Sequence, residues 1–372
     1  AETRGTEVIY LNIGQPDIPT PPEMIAELHG LPLNRLAYAP SEGLLESREG
    51  WSAFFASWGI DFQPDEILVT AGASEAITFA LSVVAGGGDE VLVFEPCYTN
   101  YLSFAAQADV KMVPITLKVE DGYHFDDIDR LRRCVTGKTR AILLCNPSNP
   151  TGTVYTESEL DAVAQIAVEH DLFVICDEVY REFVFGAGDV RSFTRYSDLA
   201  QRIIVVDSVS KRFNACGVRI GCLATKNREV LDVTLRFCQA RLSVATAEQL
   251  MVVPMLREGR AYSERQCIEY EKRRDAVYAG LKLLDGVTRH LSEGSFYTMT
   301  RLPITSCEDF AAWLLKDYSL EGRTICLAPG EGFYVTSGLG VDEVRIAFMY
   351  DADTLTRAMK ILDAAVSAYG GE

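Results

Sequence analysis

Lys211 closes the run Ser208-Val209-Ser210-Lys211, and Arg219 follows eight residues later. Asp177 terminates the apolar run Leu172-Phe173-Val174-Ile175-Cys176, with Tyr180 just beyond it. Ala73 and Ser74 follow the run EILVTAG, Tyr98 follows EVLVFEPC, and Asn149 lies in NPSNPTG after AILLC. An amine such as that of Lys211 can form an imine with an aldehyde and, once released, carry a proton. A carboxylate emerging from an apolar strand is costly to bury unpaired. A protonated ring nitrogen would partner Asp177 and remain an electron sink. The Ala73 and Ser74 amides, at the start of a helix, offer free N–H groups and a favourable dipole to a phosphate. Ser208, Ser210 and Arg219 add hydroxyl and guanidinium donors, and Tyr98 can stack on a ring face. These residue types together suit one cofactor, pyridoxal 5'-phosphate.

The elements that must carry these groups are readable as strands. EILVTAG, EVLVFEP, KMVPITL, TRAILLCNP, LFVICDE, RIIVVDS and GVRIGCLA are short runs rich in Val, Ile and Leu, separated by helical patterns. Near-continuous apolar runs of this kind indicate a parallel-rich sheet buried on both faces. In such a sheet ligands bind beyond the carboxyl ends of the strands, where the candidate residues lie. A large α/β domain is expected over residues 38–260. It is preceded by a segment, residues 1–37, that joins the small domain and the substrate site. VIYLNIGQPDIPTPPEM, with its four prolines, is expected to be extended throughout. Residues 229–284 show helical periodicity. The short runs SFYTMTRLP and EVRIAFM alternate with helical EDFAAWLLKDY and TLTRAMKILDAAVSAY, so residues 261–372 read as a smaller α+β domain. Gly86-Gly87-Gly88 reads as a turn rather than a phosphate loop, because no strand ends immediately before it.

Composition bounds the alternatives. The 372 residues are 48% hydrophobic and 24% charged, with 28 glycines and 14 prolines, which excludes a disordered, collagen-like or low-complexity chain. A net charge of −18 argues against nucleic acid or an anionic membrane as partner. Ten cysteines show no CxxC spacing, and Cys145 and Cys176 sit in apolar runs. A reduced, cytoplasmic interior is therefore expected rather than a disulfide framework. The four histidines make no zinc pattern, so no metal is expected. No apolar stretch is long enough to span a membrane, and no signal-like pattern opens the chain. The absence of a starting methionine suggests a trimmed N-terminus.

SVSKRFNACGVRIGC over 208–222 resembles the S-x-S-K-x5-G-x-R signature of the class I/II, fold-type I aminotransferases. NPSNPTG and DEVY are similar to two further motifs of that family, in the expected order. YLNIGQPD, YAPSEG, AGASEA, EPCYTNY, EGSFY, APGEGFY and EVRIAF add to the match, which spans about residues 8 to 350. The resemblance implies a mixed, mostly parallel seven-stranded sheet flanked by helices, with a smaller α+β domain. It implies Lys211 as the Schiff-base lysine and Asp177 as the partner of the pyridine nitrogen. Asn149 and Tyr180 then bond the ring hydroxyl, Tyr98 stacks, and Ala73, Ser74, Ser208, Ser210 and Arg219 hold the phosphate. Tyr38 would reach the phosphate of a neighbouring subunit in a homodimer whose site lies at the subunit interface. Arg345 would clamp the substrate carboxylate, helped by Asn149 and the Gly14 backbone, as the small domain closes.

Each position also has a purely structural reading: a surface lysine, a capping aspartate, a core tyrosine, a surface ion-paired arginine. The implied reaction moves an amino group between an L-amino acid and a 2-oxo acid by a ping-pong cycle, with aspartate and 2-oxoglutarate as the first expectation. Aromatic and broad-range enzymes share the scaffold, as do β-elimination lyases. A non-catalytic regulator would need a DNA-binding extension, and no spare basic segment exists. A nicotinamide dehydrogenase would need GxGxxG after the first strand of the sheet, which is missing. Aspartate recognition requires a second cation, for which Arg181, Arg35 and Arg241 are candidates. Cys216, near Lys211, and Cys97, beside Tyr98, are departures from the family pattern that bear on specificity.

Overall fold

The computed structural model describes residues 1–31, 34–186 and 191–369. The seven apolar runs form one sheet: β2 (Ile67–Thr70), β3 (Glu90–Glu95), β4 (Lys111–Thr116), β5 (Thr139–Cys145), β6 (Phe173–Asp177), β7 (Ile203–Ser208) and β8 (Gly221–Ala224). They lie in the order β2-β8-β7-β6-β5-β3-β4. Only β8 runs antiparallel to its neighbours β2 and β7. The sheet is covered on both sides. In β3, Leu92 and Phe94 enter one apolar cluster and Val91 and Val93 the other. This two-sided burial is why the strands lack a polar alternation in sequence.

Helices cover the faces: α2 (Leu45–Ser57) after α1 (Pro22–Gly30), then α3 (Ala73–Val84), α4 (Asn100–Gln107), α5 (Ile128–Cys134), α6 (Glu157–Glu169) and α7 (Val209–Arg212). Trp51, Phe54 and Phe55 of α2 are fully buried in one of the two sheet-face clusters. Thr156 and Glu159 form a reciprocal capping box at the start of α6. The helix α1 corrects one expectation. The proline-rich stretch is not extended to its end, because the helix begins on its last proline. Proline is tolerated at a first helical position, where its missing N–H would be unpaired in any case. The glycine triplet is a turn, closed by the Asp89 amide on the Gly86 carbonyl at 2.9 Å.

Beyond the sheet come α8 (Arg228–Ala240), α9 (Thr246–Met251), α10 (Val253–Glu258) and the long α11 (Arg260–Leu281). The C-terminal part folds as β9 (Thr288–Arg289), β10 (Tyr297–Arg301), α12 (Cys307–Lys316), β11 (Arg323–Cys326), β12 (Ala328–Pro329), β13 (Glu343–Ala347) and α13 (Ala352–Tyr369). β12, β13, β10 and β9 make an antiparallel sheet. The first strand, β1 (Glu7–Tyr10), pairs in parallel with β11, and the Leu11 carbonyl accepts from the Ala347 amide at 2.7 Å. The N-terminal segment is thus knitted to the C-terminal strands. All ten cysteines are free thiols. Among the described residues no helix is long and apolar enough to cross a membrane, and no cluster of His, Cys, Asp and Glu could hold a metal ion.

Candidate active site

Beyond the carboxyl ends of β5, β6 and β7, with the start of α3 beside them, lies a cavity of about 230 Å³. Its lining includes Ala73, Ser74, Tyr98, Asn149, Asp177, Tyr180, Ser208, Ser210, Lys211 and Arg219, joined by Ile77, Val179, Cys216 and Tyr297. Residues from 73 to 219 thus meet where the strand ends deliver them. Tyr38 does not. It is 79% exposed and lies on a separate surface hollow with Arg35, Leu36 and Ala37.

Each group is held by local geometry. Gly72 precedes α3 with φ +80°, a conformation that L side chains rarely adopt. A Cβ there would also stand 2.5 Å from an Arg219 nitrogen. Arg219 itself has φ 57° and bonds the Cys216 and Ala71 carbonyls at 3.0 and 3.2 Å. Glycine at 72 therefore lets the guanidinium lie against the start of α3. Ser208 caps α7 by accepting from the Ser210 amide at 3.1 Å, and its hydroxyl lies 2.8 Å from Ser210 Oγ. The Lys211 amine donates to the Gly14 carbonyl at 2.5 Å, with Cys216 Sγ 3.8 Å away.

Asp177 is buried. Its Oδ2 accepts from the Tyr101 phenol at 2.5 Å and its Oδ1 from the Val179 amide at 3.2 Å. Burial pushes its pKa up to about 6, although both hydrogen bonds pull it down. Tyr101 also makes an edge contact with the Tyr98 ring at 5.5 Å. The Tyr180 hydroxyl donates to that of Tyr297 at 3.2 Å, and burial raises the Tyr180 phenol well above its ordinary range. Arg345, in β13, bonds Asn149 Oδ1 at 3.1 Å and the Asn12 carbonyl at 2.7 Å. Its guanidinium lies 4.3 Å from the Tyr297 ring centre and 4.8 Å from that of Phe333. Gly14 packs so closely that a Cβ would fall 1.7 Å from the Tyr297 hydroxyl.

Two residues at the site were not singled out from sequence, Tyr101 and Tyr297. Tyr101 is three residues after Tyr98 in the turn that enters α4, its amide donating to the Tyr98 carbonyl at 2.9 Å, and that spacing could have found it. Tyr297 had no local signal. Cys97 is buried and its thiol is pushed up to about 12, so it is not a nucleophile at neutral pH.

The proposed second cations are elsewhere. Arg181 is fully buried among Glu178, Glu182 and Asp207. Arg241 bonds the Val69 carbonyl at 3.1 Å and approaches Glu75 at 3.4 Å. Arg35 is exposed beside Tyr38. None of the three lines the cavity, because each is engaged or directed to another face.

The Asn149 loop is tied to the segment leading to Tyr297. Gly152 accepts from the Glu293 and Gly294 amides at 2.9 and 2.8 Å. His124 sits between Glu159 at 2.9 Å and Glu293 at 3.3 Å, and hydrogen bonds to both carboxylates raise its pKa to about 10 from 6.5. This stabilisation is full below about pH 6.5 and is lost as pH rises through about 10. The melting temperature of His124→Gln should therefore fall below that of the unmutated protein near neutral pH and converge with it beyond pH 10. Equal melting at pH 7 would remove the ion-pair account.

At its carboxyl edge the mixed seven-stranded sheet gathers a lysine, a buried carboxylate and an arginine lying against a helix N-terminus. The chain belongs to the class I and II aminotransferases, whose family model matches residues 6–362. It is 31% identical to aromatic-amino-acid aminotransferase 2 of Thermococcus litoralis, over 95% of this chain and 90% of that protein. It is 30% identical to an aspartate aminotransferase of Musicola paradisiaca, over 99% and 91% respectively. The solved aspartate aminotransferase from Thermus thermophilus with maleate superposes with a TM-score of 0.88 at 27% identity, covering 98% of this chain and 93% of that one. The protein is an aminotransferase acting on amino and 2-oxo acids.

Proposed function

We propose that this enzyme uses pyridoxal 5'-phosphate to move the amino group of an L-amino acid, aspartate first, to 2-oxoglutarate. The observation that carries this reading is that Lys211 and Asp177 line one cavity together with the α3 N-terminus, Ser210 and Arg219. The residues fit the cofactor. Among the described residues no cation is paired with the buried Asp177, so a ring N–H⁺ would complete it. The cradle at Gly72 would be filled by any Cβ.

Bound there, pyridoxal phosphate supplies an aldehyde carbon and a ring that accepts the electron pair released at the substrate Cα. Lys211 would hold the cofactor through its amine, and that amine, when free, is the group placed to move the substrate Cα proton. Asp177 keeps the proton on the ring nitrogen. Asn149 and Tyr180 would bond the ring hydroxyl, and Tyr98 would cover one ring face. Ala73, Ser74, Ser208, Ser210 and Arg219 hold the phosphate. Arg345, with Asn149 and the Gly14 backbone, orients the substrate carboxylate.

The strand β1 belongs with residues 261–372, a division supported by the β1–β11 pairing, whereas α1 packs on α9 and α10, with Met24 in the core beneath the large sheet, and stays with residues 38–260. Arg345 already meets Asn149 at 3.1 Å in this conformation, and closure of the smaller unit over a substrate would hold it there. The exposed Tyr38 and the 70% exposed Leu36 fit a homodimer in which Tyr38 reaches the partner's phosphate. Ten free thiols fit a cytoplasmic setting.

Aromatic amino acids are a second reading. The only cations in the cavity lining, among the described residues, are Lys211 and Arg219, and both have other work. The Thermococcus relative also carries an aromatic name. A donor panel with 2-oxoglutarate, following oxo-acid formation, separates the two. Aspartate outpacing phenylalanine and tyrosine supports the first reading, and the reverse order the second. Pyruvate and ammonia released without an added oxo acid would instead mark a β-elimination lyase.

Arg345→Lys keeps the charge but loses the fork that pairs with a carboxylate. It should raise KM for the amino donor by about 10–100-fold, equivalent to about 1.4–3 kcal/mol, with a smaller change in kcat. An unchanged KM in steady-state assays would remove Arg345 from the substrate site.

A further inference from the structure

Behind the cavity floor lies a buried ion cluster that the reaction as described does not use. Arg181 pairs with Glu178 at 2.7 Å, with Asp207 at 3.0 Å and more loosely with Glu182 at 3.8 Å. Arg212 pairs with Glu182 at 3.1 Å and with the other oxygen of Asp207. Their side chains are at most 4% exposed. Rings of α2 close the far side: Arg212 lies 4.1 Å from the Phe54 ring centre and Arg181 5.1 Å from that of Phe55. Burying five charged groups costs heavily, and apolar residues of similar volume often stabilise a fold as well or better. Stability alone does not account for the cluster.

Its placement does. Glu178 follows Asp177, Arg181 follows Tyr180, Asp207 precedes Ser208, and Arg212 follows Lys211. One member of each neighbouring pair lines the cavity and the other enters the cluster. The cluster thereby ties the turn after β6 to the end of β7 and to α7, and Arg212 Nε also bonds the Ser208 carbonyl at 3.2 Å. We propose that Arg181 and Arg212 are positioning residues: through Glu178, Glu182 and Asp207 they fix the Lys211 amine relative to the Asp177 carboxylate. This rests on the reading of Lys211 and Asp177 given above. A displacement on the order of 1 Å at reacting groups can cost about 100-fold in rate.

The test compares the unmutated protein, Arg212→Lys and the charge-balanced double variant Arg212→Met/Glu182→Met, each loaded with pyridoxal phosphate. Borohydride reduction and peptide mass spectrometry count the pyridoxyl groups fixed on Lys211, melting reports the fold, and kcat is expressed per fixed group. Both variants should fix cofactor on Lys211, with a shifted visible absorption maximum. Their kcat per fixed group should be about 10–100-fold lower, with the donor KM within about 3-fold of the unmutated value. If Arg212→Lys does not fold, the double variant alone decides. Lower melting temperatures with unchanged kcat per fixed group would overturn the positioning role and leave a structural one. Absence of pyridoxyl on Lys211 in the unmutated protein would instead overturn the cofactor reading itself.

Discussion

Lys211→Ala should fold, bind pyridoxal phosphate only non-covalently, and lose transamination by about 10⁴-fold or more, since both imine formation and proton transfer disappear. The amine reaches the cavity from the short helix α7, whose start is fixed by the Ser208 cap and the Arg212 bond to the Ser208 carbonyl. Alanine leaves those bonds in place, so the loss falls on chemistry and not on the fold. The variant should also lack the borohydride-reducible visible band, read by absorbance before and after reduction. A small amine added in solution should restore part of the proton-transfer rate.

Asp177→Asn should separate function from stability. The buried carboxyl, raised to about 6 from 3.8, holds a proton in the cofactor-free fold over a range where the unfolded chain has lost it. The cofactor-free protein therefore loses stability as pH rises from about 4 to 6, and remains less stable above. Asparagine does not titrate, so above pH 6 the cofactor-free variant should be more stable than the unmutated protein by about 1–3 kcal/mol. Turnover should fall by about 10²–10³-fold or more, because the ring nitrogen loses its anionic partner. Thermal melting at pH 8 without cofactor and kcat with it read the two effects. A less stable, fully active variant would contradict both.

The strands of the main sheet were legible because most are buried on both faces and written largely in apolar residues, although the edge strand β4 keeps an exposed Lys111 and a proline. The short strands β9, β11 and β12 were not, since two to four residues carry no period. The helix α1 was hidden by a proline whose position, not its presence, decides the outcome. Most of the cavity lining was legible because its residues stand at strand ends, where a parallel sheet gathers them. Tyr297 was not, because only the packing of β10 beneath Gly14 brings it there. Arg181, one of three candidates for a second substrate cation, lies instead among buried carboxylates. Sequence shows its charge but not the face to which the turn after β6 directs it. Its neighbour Tyr180 faces the cavity, and a residue on the opposite face must find anions in the interior.

The most direct measurement is to incubate the purified chain with pyridoxal phosphate, reduce it with borohydride, and locate the label by peptide mass spectrometry. One pyridoxyl group per chain on the peptide bearing Lys211, reduced in yield by Asp177→Asn, is the result expected. A label fixed on another lysine, or none at all, would contradict the assignment of this cavity as the catalytic centre.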